Sequence, residues 1–64
     1  MITTLEHDGT TFLVDDVVYV EHKHDCKTTG LIKNFFDECF TVKTCNITSI
    51  KINYKDIESM EVIK

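Results

Sequence analysis

The chain has 64 residues, 42% of them hydrophobic, with two glycines, no proline and a net charge of −4. That length holds a single domain, 1–64, whose folding buries only about 60% of the surface its unfolded form exposes, and the hydrophobic fraction excludes a disordered chain. All seven basic residues are lysines, and this weak, arginine-free basic content argues against tight nonspecific binding to nucleic acid.

Residues 2–5 are rich in Ile and Thr and predict a first strand. Asp8-Gly9 follows, a strong hairpin signal because glycine takes positive φ without penalty. Residues 11–14 are expected to return as the second strand, and Asp15-Asp16 breaks it. The run from Val17 to Lys23 is the clearest strand, with Val18, Val20 and His22 on one face and Tyr19, Glu21 and Lys23 on the other. Residues 24–29 are polar and read as a loop. Residues 30–35 and 39–43 form the next strand pair about an Asp37-Glu38 turn, with Phe40 and Val42 inward.

A turn is expected over 45–49, where Asn46-Ile47-Thr48 matches a glycosylation sequon that has no meaning without secretion. Ile50, Ile52 and Tyr54 then alternate inward. Residues 55–60 are expected to form a short 3₁₀ or α turn that tucks in Ile57 and Met60, and 61–63 to close as the last strand. Five or six short strands with frequent turns predict an all-β fold, a small barrel or sandwich. A small closed barrel suits so short a chain, because closure removes exposed edges.

The N-terminal residues carry no basic group and no long apolar run, and no stretch approaches the roughly 18 apolar residues of a membrane span. A soluble cytoplasmic protein is expected. Cys26, Cys39 and Cys45 cannot all pair within one chain, and free thiols in a reducing compartment are expected.

The order of elements resembles the SH3-like and Sm-like barrels. Val14-Asp15-Asp16-Val17-Val18-Tyr19-Val20 resembles their opening strand, with Asp15-Asp16 where a Gly-Asp pair usually stands. Gly30-Leu31-Ile32 with Phe35, Phe40 and Val42 resembles the central bent hairpin of bacterial Sm-like proteins. The segment from Tyr54 to Met60 resembles the closing segment of the Hfq family of RNA chaperones. The resemblance implies a five- to six-stranded barrel with a short 3₁₀ turn before the last strand. Two departures stand out: the hairpin from Phe35 to Phe40 is longer than in Hfq, and the N-terminus reads as a β-hairpin where Sm-like proteins begin with a helix. No residue matches an Sm-type RNA pocket, so the resemblance implies fold and no site.

Several groups of residues are candidates for chemistry. His22, His24 and Cys26 share a face if their segment is an extended strand, and His and Cys are zinc ligands, but alternate strand residues lie roughly 6.5–7 Å apart, long for one ion. The plain alternative is a polar loop, and no metal or other cofactor is expected. Phe35-Phe36 places one ring on each face of a regular strand, so Phe35, with the parity of Leu31, is expected outside unless a bulge turns both inward. Lys33, Lys43, Lys51 and Lys55 fall on outward positions and would make a phosphate-facing stripe or a solvated sheet face.

The first 25 residues hold six acids and one lysine, the rest five acids and six lysines. The acidity therefore belongs to the N-terminal part, as a partner-facing patch or as turn chemistry. No motif joins a nucleophile, a base and an oxyanion donor, and no catalytic residue is assigned.

The expected function is a noncatalytic protein-interaction module, a small regulatory or inhibitory protein that docks on a larger host complex. Its contacts are expected at Tyr19, Leu31, Phe35 and Phe36, with Asp15, Asp16 and Glu21 at the rim. The lysine-only composition suits an AT-rich genome, a bacteriophage or a low-GC bacterium. The alternative is an Sm-like RNA or nucleotide binder acting as a ring, with Lys33, Lys43, Lys51 and Lys55 on phosphates. Edge strands also offer a route to a homo-oligomer.

Overall fold

The computed structural model describes residues 2–45 and 48–63. Asn46 and Ile47, within the expected turn and sequon, lie outside the described residues. The chain is all-β: β1 (Thr4–His7), β2 (Thr10–Leu13), β3 (Val17–His22), β4 (Cys26–Phe35), β5 (Cys39–Lys43), β6 (Ser49–Asn53) and β7 (Ile57–Val62), with a 3₁₀ turn (Tyr54–Asp56) before β7. No helix among the described residues is long and apolar enough to cross a membrane.

β1 and β2 form a separate hairpin, and the other strands make one antiparallel sheet in the order β6-β5-β4-β3-β7. The expectation of a closed barrel is thereby corrected. β6 and β7 are consecutive, yet β7 turns away after the 3₁₀ turn and ladders onto β3, leaving β6 and β7 as opposite edges. The molecule nevertheless measures 26 × 24 × 23 Å, where a flat sheet would be thin in one direction. The hairpin packs on the sheet through Phe12, which is fully buried with Val18, Val20, Ile32, Phe40, Val42 and Ile52.

The hairpin turn is as the sequence predicts. Asp8 and Gly9 both take positive φ, 51° and 79°, the pair of conformations a two-residue turn needs to match strand twist. The expected loop at 24–29 is instead mostly strand. His24 and Asp25 adopt φ of 58° and 64° and close a second tight turn, so β4 begins at Cys26. The usual signal for such a turn is a glycine, and none stands there. The closing elements also shift: the 3₁₀ turn spans Tyr54–Asp56, and Ile57 and Met60 lie within β7 rather than in the turn.

β4 is the longest strand and pairs on both sides, with β3 along its first half and with β5 along its second. At Gly30 the backbone of β5 crosses so closely that a Cβ would collide with the Lys43 carbonyl oxygen and sit 2.7 Å from Val42 Cγ1. Farther on, Ile32 pairs with Val42 and Asn34 with Thr41, leaving Lys33 as an extra residue in a β-bulge. The bulge reverses the alternation after it. Phe35 is 6% exposed, in the core, and Phe36 is 48% exposed. Phe35 as an outward contact is thus corrected.

Two substitutions test this packing. Gly30→Ala should lower stability by about 2–3 kcal/mol through overpacking against β5, seen as a lower urea midpoint at unchanged denaturant slope. Phe12→Ala should cost about 3–5 kcal/mol, read in the same titration, because Phe12 is the fully buried side chain of the hairpin.

Candidate functional site

An open groove of about 940 Å³ runs between the N-terminal segment and the β4–β5 hairpin. Ile2 and Val14 form one wall and Phe36 the other. Its floor is the row Asn34, Thr41 and Lys51, side by side across β4, β5 and β6. Ile2, Val14 and Phe36 are each at least 40% exposed, a grouping of large apolar side chains at the surface. Thr41 Oγ1 is buried and has no hydrogen-bond partner among the described residues.

Each wall is held by the backbone. Asp15 N–H donates to the Ile32 carbonyl (2.9 Å) and Ile32 N–H to the Asp16 carbonyl (3.0 Å), laying the segment after Val14 along β4. Phe36 N–H donates to the Cys39 carbonyl at 2.7 Å. The Tyr54 hydroxyl donates to the Phe36 carbonyl at 2.6 Å, and Tyr54 N–H donates to the Glu38 carbonyl at 3.0 Å. Tyr54 therefore ties the 3₁₀ turn to both ends of the hairpin tip, and its ring stacks on Phe40 with centroids 5.9 Å apart. Burial pushes the Tyr54 phenol above its ordinary value, and the nearby Cys39 and Asp37 add to the rise.

The residues expected as contacts divide. Phe36 stands on the groove, and Asp15 adjoins Val14 with its side chain exposed. Asp16 serves the fold instead, since its carboxylate accepts the Leu13 N–H at 2.9 Å and closes the turn after β2. Tyr19, Glu21 and Leu31 are half-buried on another part of the sheet, opposite Thr29, Lys27 and Val17 respectively. Lys33, Lys43, Lys51 and Lys55 are all exposed, and of these Lys51 lines the groove.

His22 and Cys26 stand opposite each other in the β3–β4 ladder, with His24 in the turn between them, but the three do not gather as a ligand set. His22 Nε2 shares a 2.8 Å hydrogen bond with the buried Thr28 hydroxyl, while His24 and Cys26 are exposed. The described residues contain no cluster of three His, Cys, Asp or Glu that would hold a metal. The sequence reading missed Ile2, Val14, Asn34 and Thr41. The sequence carries no sign of them there, because Leu31 with Phe35 and Ile32 with Phe36 both fit regular alternation and only the register against β5 decides between them.

No protein-family model, curated protein or solved structure matches the chain.

The raised Tyr54 value fixes the sign of a pH effect. The folded chain holds the neutral phenol more firmly than the unfolded chain does, so this contribution is complete below about pH 10 and is lost as pH rises through the native value. Tyr54→Phe should cost about 1 kcal/mol at pH 8 by removing the hydrogen bond. Urea titrations at increasing alkalinity should show that gap to wild type closing.

Proposed function

We propose that this chain is a noncatalytic protein-interaction module whose contact surface is the groove beside Phe36. The observation that carries the reading is an exposed phenylalanine with its backbone pinned at both N–H and carbonyl. An aromatic ring on a rigid support loses little entropy on binding and is the side-chain type that dominates binding energy. Ile2 and Val14 give it apolar neighbours, and the exposed acids around it favour approach of a basic surface. A small cytoplasmic regulator or inhibitor from a bacteriophage or low-GC bacterium, docking on a larger host complex, fits this surface.

We also propose that the sheet is a variant of the SH3-like or Sm-like barrel, opened between β6 and β7. Supporting this are the strand order, the long bent β4 and the 3₁₀ turn ahead of the last strand. The edges β6 and β7 supply backbone groups for a homo-oligomer. A second reading, RNA binding, draws support from the exposure of Lys33, Lys43, Lys51 and Lys55.

Affinity capture from the native cytoplasm, with and without nuclease, tests the choice. A nuclease-resistant protein partner is expected, with affinity reduced by at least about 2 kcal/mol in Phe36→Ala and with unfolding unchanged. Capture that vanishes with nuclease, weakens steeply with salt and is abolished by Lys-to-Glu changes would replace this reading with the RNA one.

A further inference from the structure

The hairpin tip Asp37-Glu38 is shared by two depressions. One is the groove beside Phe36. The other, of about 350 Å³, is lined by Asp37, Glu38, Asn53, Tyr54 and Lys55. Both carboxylates are exposed, and among the described residues neither has an ion-pair partner. Tyr54 holds the tip from behind through the Phe36 and Glu38 carbonyls, so the two acidic side chains project from a fixed backbone.

Resting on the docking reading above, we infer that the partner is an extended protein segment with one large apolar side chain and one lysine or arginine two residues away. The apolar side chain packs among Phe36, Val14 and Ile2. The basic side chain enters the smaller depression against Asp37 and Glu38, with the Tyr54 ring as its wall. The charges decide the number of basic groups. Lys51 lines the groove and Lys55 the smaller depression, and neither has an ion-pair partner among the described residues. In the smaller depression two carboxylates outnumber the one ammonium of Lys55, so a single cation is favoured there, whereas a further basic residue would meet Lys51 in the groove. Residues two apart in an extended chain share a side, so both side chains can face the two depressions that meet at the Asp37-Glu38 tip.

Selection of a random-peptide library on the purified chain, followed by titration against variants, tests this. Enriched peptides should carry an apolar residue two positions from a single Lys or Arg. Their affinity should fall about tenfold in the double variant Asp37→Asn with Glu38→Gln and weaken as salt rises, and Phe36→Ala should abolish binding. Both acid substitutions retain the Glu38 carbonyl that Tyr54 holds, and thermal unfolding should be unchanged. Peptides that require Phe36 but lack a basic residue, or that bind the double variant equally well, overturn this inference and leave the docking surface standing. Peptides indifferent to Phe36, or no enrichment at all, overturn both.

Discussion

β4 carries two ladders at once. Leu31 pairs with Val17 on one side and Lys43 on the other, so the strands of both halves of the sheet are registered through the same few residues. Gly30 lets β5 approach there, and the extra residue Lys33 shifts everything beyond it by one position. Because strand side chains alternate faces, that single residue exchanges the inner and outer sets. It sends Phe35 against Phe40, with ring centroids 6.1 Å apart, and leaves Phe36 at the surface. Without the bulge, Phe36 would turn into the core in place of Phe35, and the groove would lose the ring that walls it.

Stability and binding surface are joined at the hairpin tip. A domain of this size has little buried area to spare, yet it keeps three large apolar side chains exposed around one groove. The tip is made rigid by hydrogen bonds rather than by burial, with Tyr54 linking a 3₁₀ turn to a hairpin distant in sequence. The ring that stacks on Phe40 in the core thus also positions the residue that faces outward. The expected cost of ordering Phe36 for a partner is correspondingly low.

Much of the architecture was legible where chemistry is local. Asp8-Gly9 specified its turn through positive φ, and the alternation of β3, β5 and β6 gave the inward residues Val18, Val20, Phe40, Val42 and Ile52. What escaped depends on pairing between distant segments. His24-Asp25 forms a tight turn without glycine, so the start of β4 was hidden. The Lys33 bulge is defined by register against β5, which one strand's pattern does not contain, and it inverted the assignment of Phe35 and Phe36. Ile2 and Val14 became site residues only when the N-terminal segment was laid along β4, and closure of the sheet was a long-range property that alternation overstated.

The central claim is the register of β4 beyond Ile32, and cross-strand nuclear Overhauser contacts in the labelled protein read it directly. Contacts joining Asn34 to Thr41 and the Phe35 ring to the Val and Ile methyls of the core, with the Phe36 ring free of them, are the expected result. Contacts joining Lys33 to Thr41, with Phe35 solvent-facing and Phe36 in the core, would contradict the account.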